Sequence, residues 1–539
     1  MTTAPGRTRS RRFTKAGRLL VVAVTVAALA ACSGGSPLPE LPGRTAAVTL
    51  SDSTDPVVVS GTSPADVTTG LSAALFQSSP AAVLADPSAD LATLDDLGLP
   101  VLLVSGGGTP PPSPAGSPTA TPGAETATPG DETAAGAPEV ESEAVVAELD
   151  RLGADAVLAL GPAATAVAEQ AGVEVVADAA GLPEFERAEA QPETAVLTAD
   201  PQVSGLDEAT TAAARATSSA AGATHVHTRS GDPRESRESV DAVAAAKPTR
   251  AIGVGDRLGS PQELTARLAA AATGTHLPGG GQLHAPGKQY IALYGHPGTP
   301  VLGVLGEQGL DAAVDRAKEQ AAAYEELSDK TVVPMFEIIT TVALGDPSPN
   351  GNYTNEVSPD FLRPWVERAG EEGIYVVLDL QPGRADLVDQ AKIYESLLEL
   401  PHVGLAIDPE WKLKPDQRPL QQIGQVEAEE VNRVGEWLSE LTRDNGLPQK
   451  LFVLHQFQLR MLKDRDQIRT DHDELQTLIH VDGQGPQGDK QETWRVMKQN
   501  APANVVWGWK NFHDEDSPML TPQQTIDQVD PTPVMISYQ

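Results

Sequence analysis

Ile374-Tyr375-Val376-Val377-Leu378-Asp379 and Val403-Gly404-Leu405-Ala406-Ile407-Asp408-Pro409-Glu410-Trp411 are the two stretches whose reading decides the fold. Each holds a short, almost wholly apolar run that closes on a carboxylate. A run without polar alternation fits a strand buried on both faces, as the strands of parallel sheets are. An amphipathic stretch at 385–398 joins the two, and a parallel pair needs such a crossover, usually a helix. Working outward, the same unit recurs. Apolar runs fall at 290–294, 332–338, 374–378, 403–407, 451–454, 477–481, 505–509 and 534–537, with helical patterns at 310–327, 359–369, 385–398, 426–441 and 490–499 between them. Eight such runs in about 250 residues predict a closed (β/α)8 barrel, placed at 288–539.

In barrels of this kind chemistry gathers at the C-terminal ends of the strands. Those ends carry Tyr294, His296, Glu337, Asp379, Asp408 with Glu410, His455 with Gln456, Asp482 with Gln484, and Trp509 with Lys510. One polar residue after a strand does no more than solvate a loop. Four strands closing on carboxylates at one rim, with amides and aromatics among them, suit a sugar: rings stack on aromatic faces, polar groups bind hydroxyls, and two carboxyls supply acid and base or nucleophile. His296, His455 and Asp482 lack the HxH or HExxH spacing of common metal motifs, and no GxSxG elbow is present. No metal and no cofactor are expected.

The stretch from Gly404 to Trp411 resembles the end of the strand-four signature of chitinase-like barrels. The resemblance implies that Glu410 is the general acid/base and Asp408 the partner that orients it. Residues two apart on an extended segment face the same way, as that pairing requires. The two earlier acids of the signature fall at Val403 and Ala406, Pro409 separates the pair, and Val505-Val506-Trp507-Gly508-Trp509-Lys510 offers no strand-seven nucleophile. The likeness is therefore to sugar-hydrolase barrels in general. Glu337 or Asp379 is expected as second carboxylate, with Tyr294, Trp411 and Trp509 as stacking platforms. His296, His455, Gln456, Asp482 and Gln484 complete the expected substrate contacts.

The region 45–283 has a different core. All six Trp and all seven Tyr lie at or beyond Tyr290, and only Phe76 and Phe185 serve the earlier part. Short runs at 57–60, 82–84, 101–104, 156–160, 173–176 and 251–254, with helical patterns at 142–152 and 261–272, predict a parallel α/β region. Ser60-Gly61-Thr62-Ser63-Pro64-Ala65-Asp66, Leu99 to Val104, Glu148 to Leu152, Ala156 to Gly161 and Val254-Gly255-Asp256-Arg257-Leu258-Gly259 resemble pieces of the type 2 cell-wall-binding repeat. That resemblance implies a small α/β fold that attaches surface proteins to anionic wall polymers. The net charge of −35 opposes anionic partners and excludes nucleic acid as a natural ligand. Gly253-Val254-Gly255 lacks the third glycine of a dinucleotide loop, since Gly259 falls one place late. Residues 106–140 are rich in Pro, Thr, Ala and Gly and read as a disordered insertion. A Gly-rich stretch at 277–287 reads as a linker to the barrel.

Residues 1–18 carry six basic side chains and no acid, and a short apolar core then runs to Ala31. Leu29-Ala30-Ala31-Cys32-Ser33-Gly34 resembles the lipobox of bacterial lipoproteins, and Cys32 is the sole cysteine. The resemblance implies cleavage of 1–31, lipidation of Cys32, a tether at 32–44, and anchoring on the outer face of the cell membrane. The expected protein is a lipid-anchored envelope lipoprotein whose barrel hydrolyses or binds envelope polysaccharide. A non-catalytic glycan-binding scaffold is the alternative, followed by a solute-binding lipoprotein of an importer.

Overall fold

The computed structural model describes residues 46–104 and 137–539. The expected leader at 1–31, Cys32, the expected tether at 32–44 and most of the 106–140 stretch lie outside the described residues. Ala46–Gln539 forms one compact unit.

The eight expected strands are all present, and they close. In chain order they are β1 (Lys288–Gly295), β2 (Thr331–Ala343), β3 (Tyr375–Leu380), β4 (Val403–Ile407), β5 (Lys450–His455), β6 (Leu475–Val481), β7 (Val506–Asn511) and β8 (Met535–Tyr538). Each pairs in parallel with its sequence neighbours, and Tyr290↔Met535 and Ile291↔Ile536 seal β1 to β8. Helices Leu310–Glu325, Pro359–Glu371, Ala428–Asp444, Gln487–Met497 and Pro522–Gln528 fill crossovers between these strands. Local chemistry starts them: Ser358 accepts a hydrogen bond from the Asp360 amide ahead of a helix with Pro359 in its first turn.

Two crossovers depart from expectation. The helix at 385–398 is split into Leu387–Lys392 and Glu395–Leu398, with Tyr394 turned inward and its hydroxyl donating to the carbonyls of Thr340 at 2.8 Å and Val357 at 3.0 Å. Between β5 and β6 the chain makes the 3-10 turns Leu459–Met461 and Arg465–Gln467 in place of an α-helix.

The two-residue period of the strands sorts the core into two layers. Ile291, Phe336, Ile338, Val376, Leu378, Leu405, Ile407 and Ile479 pack outward against the helices. Tyr290, Ala292, Val333, Met335, Tyr375, Val377, Ala406, Leu451, Val453, Leu478 and Met535 fill the lumen. Continued upward, the inward parity changes chemistry. Its next members are Tyr294, Glu337, Asp379, Asp408, His455, His480 with Asp482, Lys510 and Ser537.

The region before the barrel contains two four-stranded parallel sheets. One has the spatial order Val101–Leu103, Ala81–Ala85, Ala156–Leu160, Glu174–Val176; the other is Thr224–Thr228, Thr194–Ala199, Arg250–Val254, Val57–Val59. The fourth strand of the second sheet is thus supplied by the start of the region, which ties the two sheets together. The segment that reads as a linker is packed rather than loose. Leu277 joins the lumen cluster, and buried His284 meets the Tyr290 hydroxyl at 2.6 Å and the Tyr375 ring at 4.9 Å between centroids. Gly281 permits this: its φ is 62°, and a Cβ there would lie 2.6 Å from the Glu235 carbonyl oxygen. The Gly run therefore makes a tight turn under the barrel floor.

Candidate active site

Above the apolar lumen a polar layer spans the barrel. His455 stands at its centre, fully buried, with Nε2 2.9 Å from Glu337 Oε1 and Nδ1 2.9 Å from Asp482 Oδ2. Asp379 Oδ1 lies 3.9 Å from His455 Nε2, and Asp379 Oδ2 accepts a hydrogen bond from the Tyr294 hydroxyl at 3.0 Å. Lys510 Nζ sits 3.4 Å from the centroid of the Tyr294 ring. Asp408 Oδ1 accepts from the Glu410 amide at 3.0 Å, which fixes the short turn Pro409–Trp411 that presents Glu410.

These neighbours divide the acids into two sets. Burial opposes ionisation of Glu337 and Asp482, but hydrogen bonds and charge from the imidazoles hold both below the ordinary carboxylate range. Burial lowers His455's proton affinity, yet Glu337, Asp379 and Asp482 raise it well above the usual histidine value. Burial with the nearby Glu337 pushes Asp379 up to about 6 against the pull of His455. Burial and the surrounding acids hold Asp408 well above the usual range. Glu410 is raised to about 7, first by burial and then by Asp482.

A cleft of about 320 Å³ opens over this layer, lined by Tyr294, Gln381, Asp408, Glu410, Trp411, Phe457, Asp482, Gln484, Lys510 and Phe512 among others. Its volume falls within the roughly 300–1,000 Å³ of ligand sites. A second cleft of about 420 Å³ lies against Glu410, Trp411, Leu413, Leu420 and Arg460. Glu410 and Trp411 therefore line both.

The structure brings Tyr294, Asp408, Glu410, Trp411, Asp482 and Gln484 to the cleft. Glu337, Asp379 and His455 sit beneath it with no exposure, Glu337 bonded to His455 and Asp379 to Tyr294. Glu337 and Asp379, expected as the second carboxylate, thus do not line the cleft, whereas Asp482 does. Trp509 is only 1% exposed and faces the helix layer against Trp494, so it offers no stacking face to the cleft. Parity explains this: Lys510, its neighbour, points inward. Gln456 is a strut, accepting from Arg465 Nη1 at 2.8 Å and donating to the carbonyls of Gln458 and Leu459. His296 stacks on Phe361 and bonds the Ile339 carbonyl at 2.8 Å. Sequence reading missed His480, Ser537, Phe457 and Phe512, and it found Lys510 at the end of its strand without giving it a role. Counting by twos along β6 and β7 would have found His480 and turned Lys510, not Trp509, inward.

The sequence matches no family model and no curated protein. Among solved structures, the chain is similar to a hyperthermophilic endo-beta-1,4-glucanase in complex with substrate, at 9% identity and a TM-score of 0.26, covering 47% of this chain and 88% of that one. A glycoside hydrolase family 6 enzyme from Coprinopsis cinerea is similar at 13% identity and a TM-score of 0.20, covering 51% of this chain and 69% of that one.

Proposed function

We propose that the barrel hydrolyses a glycosidic bond in a cell-envelope polysaccharide, on a chain anchored to the outer face of the cell membrane through a lipid on Cys32. The observation that carries this reading is the position of Glu410, on Trp411's side of the rim, where two clefts meet. A sugar polymer lying along both would pass its scissile oxygen over the carboxyl, with Trp411 under a ring. Glu410 and Asp482 line the same cleft, and their surroundings push their proton affinities apart, which suits an acid and a base to their separate roles. In the proposed step Glu410 gives its proton to the leaving glycosidic oxygen as the C–O bond breaks. A water oxygen bonds to the anomeric carbon, and Asp482 takes the water's proton.

The test is reducing-end release by the purified chain from a panel of envelope polysaccharides, with binding followed by calorimetry. Cleavage by the wild type together with binding but no cleavage by Glu410→Gln supports the reading. Equal binding by both without cleavage by either replaces it with the scaffold. For the anchor, labelling with a lipid precursor should mark the wild type and not Cys32→Ala.

A further inference from the structure

We propose that Glu337, His455 and His480 bind a divalent transition-metal ion of the zinc class beneath the cleft, with Asp379 placed to complete the shell. Neighbouring strands β5 and β6, and β2 across the lumen, deliver one donor each: Glu337 Oε1, His455 Nε2 and His480 Nδ1. One ligand atom from each lies within 4.8 Å of the others. Glu337 Oε1 is 2.9 Å from His455 Nε2 and 3.5 Å from His480 Nδ1. Two donors each about 2.1 Å from a tetrahedral zinc lie about 3.4 Å apart. The longer contact exceeds a normal N–H···O hydrogen bond and fits a pair of ligands on one ion.

The groups behind these donors match what metal-bound imidazoles require. His455 Nδ1 is held by Asp482 Oδ2 at 2.9 Å, and His480 Nε2 by Ser537 Oγ at 2.9 Å. An imidazole that donates its outer N–H to an oxygen turns its other nitrogen's lone pair toward the ion, the usual arrangement around bound metals. A metal-free account leaves a residue of unpaired groups. A protonated His455 bridging Glu337 and Asp482 satisfies one oxygen of each. Glu337 Oε2, Asp379 Oδ1 and His480 Nδ1 still have no hydrogen-bond partner, in side chains with no exposure. Buried unpaired polar atoms are costly, and one cation held by Glu337 Oε1 would also take up His480 Nδ1 and draw in Asp379 Oδ1, which lies 3.9 Å from His455 Nε2. Mixed imidazole and carboxylate donors favour zinc and its neighbours over magnesium or calcium, which take oxygen shells.

The purified chain, stripped with a chelator, is titrated with Zn²⁺ by calorimetry and with Co²⁺ by visible absorption. One equivalent should bind, with the intense d–d bands of four-coordinate Co²⁺, and Zn²⁺ should raise the melting temperature. His480→Gln and Glu337→Gln should abolish both signals. Ser537→Ala, which leaves every ligand in place, should weaken binding roughly 10–100-fold and decides the matter if the ligand variants fail to fold. His227→Gln, on an exposed imidazole of the earlier region, should change nothing. Wild-type binding no tighter than that of folded His480→Gln or Ser537→Ala overturns the proposal, leaving His455 as an ion-paired imidazolium. Because the readout is metal binding, it stands apart from the outcome of the polysaccharide assay.

Discussion

Glu410 keeps its proton into the neutral range because burial and the Asp482 carboxylate outweigh the opposing pull of Lys510 and His455. A general acid must be protonated to act, so turnover should fall as pH rises through about 7, as a pH profile of kcat will check. Lys510→Met removes a charge that lowers the Glu410 value and should move this alkaline limb to higher pH. Asp482→Asn removes one that raises it and should move the limb to lower pH while depressing the rate itself. Glu410→Gln keeps the shape and hydrogen bonding of the side chain but not its proton. It should cost about 10²–10⁴-fold in turnover with ligand affinity retained, which single-turnover assays and calorimetry together resolve. Most of these side chains were legible from their place at strand ends. Their division into exposed and buried carboxylates was not, because height within the lumen depends on strand tilt and register.

At the scale of the element, strand parity decides which of two adjacent residues does chemistry. Trp509 packs among the helices, whereas Lys510 faces the cleft. Trp509→Ala should therefore lower stability by about 3–5 kcal/mol, as large core truncations do, while leaving KM for any substrate close to the wild-type value. Denaturant unfolding and steady-state kinetics measure the two effects separately. The crossover after β5 depends on one guanidinium in place of a helix. Arg465 donates to Gln456 Oε1 and the Met497 carbonyl at 2.8 Å each, and to the Gln499 carbonyl at 2.6 Å. Arg465→Ala should destabilise the fold by about 2–3 kcal/mol, since each buried acceptor left unpaired costs roughly 1–3 kcal/mol. A melting curve unchanged by this substitution would show that water replaces the guanidinium.

Across the whole molecule, the barrel floor is joined to the region before it by charge as well as by the buried turn at 277–287. Arg234 lies 2.8 Å from both Asp232 and Asp473, and Arg267 lies 2.9 Å from Asp473. Asp473 is partly solvated and Arg234 keeps Asp232 as a partner, so Asp473→Ala should cost only about 1–2 kcal/mol. Burial opposes the charge on Asp232, but Arg234 and Arg267 hold its carboxyl below its ordinary 3.8. A depressed carboxyl adds stability that is present above the unfolded-state value and lost as pH falls through the folded one. Denaturant stability should accordingly decline below pH 3.8, and Asp232→Asn should flatten that decline.

Hydrophobic periodicity alone determined the eight barrel strands and their closure, because a strand buried on both faces must be apolar along its length wherever it lies in the chain. It also marked the rim, since an apolar run ends where side chains reach solvent or one another. The strands Thr194–Ala199 and Thr224–Thr228 were not legible: one is rich in alanine and threonine, and the other alternates histidine with threonine and valine. Only the tertiary structure decided that the Gly-rich stretch is a packed turn and that Glu337 and Asp379 lie below the cleft. Only the structure, too, could bring Glu337, His455 and His480 to one point. Glu337 lies more than a hundred residues before either histidine and leaves no spacing to read, and it is the closure of the barrel that makes the three neighbours.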